Sequence, residues 1–260
     1  MNKNSYIIGW DVGGWNCDSN PNSRDALVIL DQQCNLVGVP WRGNLRVTIN
    51  QADTTQDFIR ALFQLCQTEY DSNQNIPVLL AIDIPLGFSQ AFTNLLVKRQ
   101  FVPLIEDSAS NDYLFRYTEK VLFAGGLKPL SPIKDMIGSQ ATKGLHVLAK
   151  FAPDYYQCGI WRGDNVLFAL EAYPSACKYS NLVKAHLIPF GFEKLSTSNL
   201  AKDLVETVAA FNHADKYDAF LCAVIGWMQI HQPEQIMQPS PEVLESEGWN
   251  LDGGQRFICA

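Results

Sequence analysis

The sequence predicts an α/β domain in which helices flank a mixed sheet. Three observations support this prediction. Short apolar runs, each the length of a buried strand, end at Asp11, Asp83 and Glu171. An amphipathic helix separates the first strands from the central one. Hydrophobic residues make up 47% of the 260 residues and charged residues 18%, so the chain is able to bury a large core.

The first elements are a strand and a hairpin. Residues 6–10 form an apolar run that stops at Asp11, which predicts a buried strand followed by a tight turn. Residues 26–30 and 36–39 are two further strands joined by a polar turn, the pattern of a hairpin. Residues 45–49 can extend the third strand beyond an interruption by proline and glycine.

A helix and a central strand follow. Thr54 or Thr55 can cap a helix whose apolar residues recur at intervals of three and four between residues 58 and 66. Residues 77–82 are uniformly apolar and end at Asp83, which predicts a central strand buried on both faces.

Residues 88–157 predict a mainly helical lobe, because helical patterns there are interrupted by several glycines and prolines. No linker is visible on either side, so we expect residues 1–260 to form a single domain with this lobe inserted. A strand resumes at 166–169 and leads to Glu171, and helices are predicted at 200–211 and 217–230.

The order of these elements predicts a particular fold. Three strands, a crossover helix, a buried parallel strand, a second crossover and a fifth strand follow the plan of the RNase H-like fold. We therefore expect an RNase H-like, mixed five-stranded sheet flanked by helices. A Gly-rich turn at residues 248–257 is expected to close the chain.

Composition narrows the classes of protein. A net charge of −7 counts against nucleic-acid binding by charge alone. Residues 98–150 hold eight Lys or Arg against five Asp or Glu, so a basic lobe can lie beside an acidic site, although an ordinary mixed surface explains this equally well. The seven scattered cysteines contain no CxxC pair, and no apolar run approaches a membrane span. We expect a cytoplasmic protein without a membrane partner.

Four carboxylates are candidate metal ligands. If the strands that precede Asp11, Asp83 and Glu171 are parallel neighbours, these side chains emerge at one edge of the sheet, where open α/β sheets bind ligands. Asp218, which begins a helix, is the fourth. Carboxylates held together repel one another unless a cation neutralises them, which favours Mg2+ or Mn2+. Each residue also has a simpler interpretation, as a turn former or a helix cap.

Candidate substrate-binding residues lie in the predicted lobe. Arg116 can meet a phosphate, although a pair between Arg116 and Glu119 is the more ordinary explanation. Lys134, like Lys143, can line a substrate groove or simply be solvated. The sequence contains no P-loop, GxSxG or GxGxxG motif, so the common nucleotide-binding and hydrolase classes lose their main support.

Several motifs resemble one known family. They are Ile-Gly-Trp-Asp at 8–11, Asp-Ile-Pro-Leu-Gly at 83–87, Arg-Tyr-Thr-Glu at 116–119, Glu-Ala-Tyr-Pro at 171–174 and Tyr-Asp-Ala at 217–219. In this order they resemble the family known as domain of unknown function 429, predicted RNase H-like nucleases, over nearly the whole chain. The resemblance implies an RNase H-like core with an acidic centre at Asp11, Asp83, Glu171 and Asp218. Many members have Ala-Gly after the first Asp, where this chain has Val-Gly-Gly-Trp.

Three functions are compatible with the sequence. The first is a metal-dependent nuclease or phosphodiesterase acting on a nucleic acid or nucleotide, with Asp11 and Asp83 as the primary ligands and Glu171 and Asp218 completing the site. The second is a phosphotransferase or ATPase of the actin and sugar-kinase type, which binds phosphate through the amides of the first loop. The third is a non-catalytic binding protein that shares the fold. A homodimer is compatible with each.

Overall fold

A computed structural model describes residues 3–108, 110–135, 137–157, 159–177, 180–187, 210–238 and 250–251. The protein is α/β, as predicted, with helices on both faces of a mixed sheet. No helix in these ranges is both long enough and apolar enough to cross a membrane.

The described residues form one sheet of eight strands. The strands are β1 Tyr6–Asp11, β2 Asp25–Leu30, β3 Trp41–Gly43, β4 Val78–Asp83, β5 Asp154–Gln157, β6 Ile160–Gly163, β7 Leu167–Ala172 and β8 Asn250–Leu251. Seven of them lie in the order β3-β2-β1-β4-β7-β6-β5, and the short β8 also pairs with β7. Pairing is parallel for β1 with β4, β4 with β7 and β7 with β8, and antiparallel for the other pairs.

Helices cover both faces of this sheet. In chain order they are α1 Arg46–Gln51, α2 Thr55–Leu65, α3 Gln90–Lys98, α4 Tyr117–Ala124, α5 Gly138–Phe151, α6 Pro174–Cys177, α7 Asn181–Leu187 and α8 Ala214–His231. Short 3-10 turns occupy Ser72–Gln74 and Pro233–Gln235. The predicted capping of α2 is confirmed, because the Thr54 hydroxyl accepts from the Asp57 amide.

The central strand β4 is buried on both faces, as its uniformly apolar sequence predicts. Leu80 and Ile82 pack in the core between the sheet and helices α2 and α5. Leu79 and Ala81, which alternate with them, pack in the second core beneath α8. The result is a three-layer arrangement that fixes both ends of β4, including Asp83.

Helix α8 lies directly on the backbone of β1. A Cβ atom added at Gly9 would be 1.9 Å from the Ala219 carbonyl oxygen and 2.4 Å from the Ala223 nitrogen. Only glycine permits this approach. Because Gly9 is two residues before Asp11, and Ala219 follows Asp218, the same contact sets the distance between those two carboxylates.

Two predicted elements differ in the structure. Residues 36–39 do not form a strand, because Gly38 adopts a positive φ of 69°, and only Leu36 bridges to Leu30. Residues 46–51 form helix α1 instead of extending a strand. The carboxylate of Asp25 accepts from the Leu45 amide at 2.8 Å and supports the start of this helix.

The expected count of five strands was wrong. The predicted helical lobe at 88–157 contains α3, α4 and α5, but its last residues form β5, which pairs with β6 in a hairpin. Pro153 follows α5 and prevents the helix from continuing. The predicted helix at 200–211 lies outside the described residues except for its last two positions, and the Gly-rich turn at 248–257 does so except for 250–251.

The contact between β1 and α8 makes a direct prediction. We expect Gly9→Ala to lower the free energy of unfolding by about 3 kcal/mol, because the new methyl group meets helix backbone that cannot move aside. Gly138→Ala is the matched control, since a Cβ there has nothing within 4 Å, and it should change stability by at most about 1 kcal/mol. Urea unfolding of both variants measures the difference. Equal effects would contradict this account of the contact.

Candidate acidic site at the sheet edge

The candidate site lies at the carboxyl ends of the three central parallel strands. Asp11 and Asp83 are direct register partners on β1 and β4, and Glu171 of β7 is the partner of Ile82, one residue earlier. Neighbouring strands are about 4.8 Å apart, so the two aspartates stand side by side. The structure therefore brings together the three strand-end carboxylates that the sequence singled out.

These residues line a cavity of about 180 Å3. Its acidic side is formed by the strand-end carboxylates together with Glu119 of α4. The remaining lining is mostly apolar and comes from the ends of β1, β4 and β7 with the loops that follow them, from the segment before α5 and from the first turn of α5. It consists of Val12, Ile84, Pro85, Pro129, Leu130, Ile137, Gln140, Ala172 and Tyr173.

Asp11 stands in an unfavourable electrostatic environment. Burial raises the pKa of its carboxyl group well above the ordinary value, and the charge of Asp83 raises it further. Asp215, Asp218 and Asp25 shift the pKa in the same direction. The charged groups that most raise the pKa of Asp11 are thus carboxylates, so a cation at this position would be favoured.

Asp218 contributes to this field from α8. It does not line the cavity, but the packing of α8 on Gly9 brings its charge close enough to raise the pKa of Asp11. One turn later on the helix, burial raises the pKa of the Cys222 thiol, and Asp83, Asp11 and Asp218 raise it further. Three of the four predicted carboxylates, Asp11, Asp83 and Asp218, therefore share one electrostatic environment.

Glu171 differs from the aspartates because it has an internal cation. Its Oε1 and Oε2 atoms accept from Nη2 and Nη1 of Arg116 at 2.6 and 2.7 Å, in a bidentate pair. Oε2 also accepts from the Leu86 amide at 2.8 Å. Burial raises the pKa of Glu171, while Arg116 opposes that shift. The predicted metal ligand is thus already engaged with a guanidinium.

Arg116 is held between two carboxylates at the start of α4. Its Nε donates to Glu119 Oε1 at 3.0 Å, and the Glu119 side chain also accepts from the Arg116 amide at 2.8 Å. The Glu119 carboxylate thus caps the Arg116 amide at the start of α4 and pairs with the guanidinium of the same residue. Burial lowers the pKa of Arg116, but the two carboxylates more than compensate, and the net shift is upward.

The predicted substrate-binding residues are placed differently from one another. Arg116 is fully buried, so a substrate phosphate cannot reach its guanidinium in this arrangement, whereas Glu119 lines the cavity. The predicted pairing of Arg116 with Glu119 is confirmed, although the pair is buried rather than on the surface. Lys134 is exposed, with its ammonium group 6.0 Å from the centre of the Phe115 ring.

A second buried ion pair, which the sequence did not predict, supports the loop after β1. Lys143 Nζ is 2.9 Å from Asp25 Oδ2 and 3.0 Å from the Gly14 carbonyl oxygen, and both charged side chains are fully buried. Asp25 also accepts from the amide of Gly13 at 2.9 Å and from the indole of Trp10 at 3.1 Å. Lys143 therefore stabilises the loop after β1 and does not line a substrate groove, the other role that the sequence allowed.

The loop after β1 uses its own amides internally. Gly13 donates to Asp25, Gly14 donates to the Ser23 hydroxyl at 3.3 Å, and Trp15 donates to the Ser139 hydroxyl at 2.9 Å. These three consecutive amides would otherwise form a natural cradle for a phosphate. Since each has a partner within the protein, the loop is built to hold Asp11 in place.

Asp11 and Asp83 are the residues suited to hold a metal ion. Among the described residues, no three His, Cys, Asp or Glu side chains form a group arranged for metal binding. Two adjacent carboxylates fit a hard ion such as Mg2+, which commonly takes one or two carboxylates and completes its shell with water and substrate oxygens. Asp11 and Asp83 therefore fit Mg2+ or Mn2+, whereas Glu171, the third expected ligand, is bound by Arg116 instead.

Comparisons of the chain with protein-family models, with curated proteins and with solved structures found no match. The resemblance to domain of unknown function 429 stays a prediction from the sequence.

The buried pair beside the first loop gives one prediction. We expect Lys143→Met to lower the free energy of unfolding by about 3–5 kcal/mol, because it leaves the Asp25 charge buried without its ammonium partner. Lys120→Met removes an ammonium from a partly exposed pair with Asp112 and should cost less than about 1 kcal/mol. Chemical denaturation compares the two variants. A cost for Lys143→Met no larger than that of the control would refute the structural role of this pair.

The environment of Asp11 gives a second prediction for this site. In metal-free buffer at neutral pH, Asp11→Asn should stabilise the protein by roughly 1 kcal/mol, because it removes a negative charge that burial and the neighbouring carboxylates make unfavourable. Folding raises the pKa of Asp11, so the cost of its ionised form is full above the raised pKa. That cost disappears as the pH falls toward the ordinary value of 3.8. Thermal unfolding as a function of pH should show the gap between variant and wild type closing on acidification, and a gap independent of pH would contradict the assignment.

Proposed function

We propose that this protein is a metal-dependent, RNase H-like nuclease or phosphodiesterase that uses Mg2+ or Mn2+ held by Asp11 and Asp83. One observation carries the proposal: these two carboxylates are register partners at the carboxyl edge of parallel strands, inside a cavity. Ligands of open α/β sheets bind at this edge. A divalent ion there would also offset the burial and the carboxylate repulsion that together raise the pKa of Asp11.

Each residue then has a definite task. Asp11 and Asp83 hold the ion through their carboxylate oxygens, which are hard ligands. Asp218 on α8 does not line the cavity, but its charge makes the electrostatic potential at Asp11 more negative. A bound divalent ion supplies Lewis-acid activation of a phosphodiester and lowers the pKa of a water molecule. The protein contributes a site that is rigid before substrate arrives, because the loop after β1 is held by Asp25.

Glu171 is proposed to position the chain next to Asp83 and not to bind the metal. Its carboxylate is paired with Arg116 and also accepts a hydrogen bond from the Leu86 amide, so it fixes the segment that immediately follows Asp83. This differs from the role expected from the sequence, in which Glu171 completes the coordination of the metal. Both of its oxygens are already occupied by donors from the protein, which leaves Asp11 and Asp83 as the primary ligands.

The cavity favours a small reacting group. Its volume of about 180 Å3 is below the roughly 300–1,000 Å3 of pockets that enclose a drug-sized ligand. One phosphodiester with part of a nucleotide fits such a space, so the rest of a nucleic-acid substrate would lie on the surface outside it. The exposed Lys134 lies within residues 98–150, which have a net charge of +3, and it is the proposed phosphate contact there.

The first loop favours the nuclease over a phosphotransferase or ATPase. In that alternative class the amides after the first strand bind phosphate. Here the amides of Gly13, Gly14 and Trp15 donate to protein side chains instead. A non-catalytic binding protein would have no need of two neighbouring carboxylates that destabilise each other, so we place it below the enzyme.

Calorimetry with Mg2+ and Mn2+ tests the metal site. Wild-type protein should bind at least one of the ions, and Asp83→Asn should weaken binding at least about tenfold, because one of two primary ligands becomes neutral. Asp53→Asn is the matched control, since Asp53 is exposed and does not line the cavity. The same three proteins should be assayed for cleavage of a panel of DNA and RNA substrates.

The outcomes separate the candidate functions. Cleavage by wild type and the Asp53 variant, lost in Asp83→Asn, supports the proposal. Metal binding without cleavage of any substrate would shift the assignment to a phosphotransferase, to be tested with ATP. Failure of the wild type to bind either ion would overturn both enzymatic assignments.

A further inference from the structure

The chain carries an unusually exposed apolar stretch at residues 95–107, which we call the 95–107 segment. It begins in the last turn of α3 and continues through the irregular chain that follows. Five large apolar side chains in it are more than three-fifths exposed: Leu96 at 64%, Val97 at 76%, Phe101 at 80%, Leu104 at 70% and Ile105 at 65%. Helix α3 itself contains no buried residue.

The exposed area is large enough for a stable interface. From typical residue surfaces, these five side chains expose on the order of 700 Å2, above the roughly 300–600 Å2 of the largest apolar patch on an ordinary monomer. A standard stable interface buries about 800 Å2 on each partner. The segment therefore resembles a surface that a partner covers.

Charges flank the apolar centre of the segment in a definite order. Lys98 and Arg99 precede Phe101, and Glu106 and Asp107 follow Ile105. All four charged side chains are exposed. Within the described part of the chain, none of the four takes part in an ion pair or a side-chain hydrogen bond. Two positive charges and two negative charges thus stand at opposite ends without internal partners.

This order is complementary to itself. A two-fold axis near Val102 reverses the segment in a second copy, so that the basic pair of each copy faces the acidic pair of the other. In that register Lys98 lies opposite Asp107 of the second copy, and Arg99 lies opposite Glu106. We propose that the 95–107 segment is the interface of a homodimer, in which the two copies bury their apolar centres and pair their charged ends.

The local shape of the segment suits this arrangement. Arg99 adopts a left-handed conformation with φ 54° and ends α3, which turns the chain away from the helix axis. Beside the turn lies a groove of about 430 Å3, lined by Ala91, Asn94 and residues 99–102. An apolar side chain of the second copy, such as Leu104, can enter this groove and cover Phe101.

A second copy fits better than other occupants. An anionic membrane surface or a nucleic acid would be repelled by Glu106 and Asp107 at one end of the segment. A partner of the same sequence satisfies both ends equally, which no uniformly charged surface does. The inference does not depend on the proposed catalytic function.

Light scattering coupled to gel filtration, with sedimentation velocity, measures the oligomeric state directly. Wild-type protein should be a dimer at micromolar concentration. Lys98→Glu/Arg99→Glu makes the segment wholly acidic, and Glu106→Lys/Asp107→Lys makes it wholly basic. Each variant alone should raise the dimer dissociation constant at least about tenfold, because like charges then face each other across the axis. All four positions are exposed, so neither variant should change the thermal unfolding of the monomer.

Mixing the two variants gives the decisive result. The acidic and basic segments should form a heterodimer with about wild-type affinity, since opposite charges again face each other at both ends. Asp53→Lys/Glu69→Lys makes the same change in net charge as the basic variant, at exposed sites outside the segment, and should leave the dimer intact. A monomeric wild type, a dimer unaffected by either charge reversal, or no association in the mixture would overturn the proposal.

Discussion

The parallel pairing of β1 with β4 is the constraint around which the rest of the structure is arranged. It sets Asp11 opposite Asp83, and the hydrogen bonds of the sheet hold the backbones of these two residues side by side. The repulsion between their carboxylates therefore follows from the register of the sheet. The close contact of α8 at Gly9 adds Asp218 to the same environment, so the fold concentrates negative charge where a flexible chain would disperse it.

The protein treats its buried carboxylates in two different ways. Asp25 and Glu171 are each matched by an internal cation, Lys143 and Arg116, and by backbone amides. At Asp11, by contrast, burial and the charges of other carboxylates are the largest causes of a raised pKa. A chain that neutralises some buried acids so fully is capable of neutralising all of them. The exception lies in the cavity, which is where an added cation would be used.

The sequence predicted the parts of this site that depend on local pattern. Apolar runs that stop at a carboxylate placed Asp11, Asp83 and Glu171 at strand ends, and uniform apolarity identified β4 as central. The sequence did not predict which cations pair with the buried carboxylates, because these partners are far apart along the chain. Arg116 is separated from Glu171 by 55 positions, and Lys143 from Asp25 by 118. A charged residue at the start of an apolar strand, as at Asp25, was the available signal for the second pair. Helix α1 was predicted as a strand because its start depends on the Asp25 carboxylate, which accepts from the Leu45 amide and lies 20 positions earlier in the chain.

The two internal ion pairs also explain how such a site can remain ordered. Repelling carboxylates favour local opening of the loops that carry them, and that tendency must be offset nearby. The Asp25–Lys143 pair fixes the loop after β1, because Lys143 donates to the Gly14 carbonyl. The Glu171–Arg116 pair fixes the segment after β4, because Glu171 accepts from the Leu86 amide. Each pair therefore holds one of the two loops that adjoin the aspartates. Buried ion pairs add little net stability by themselves, but here they set position, which is the property that a metal site most requires.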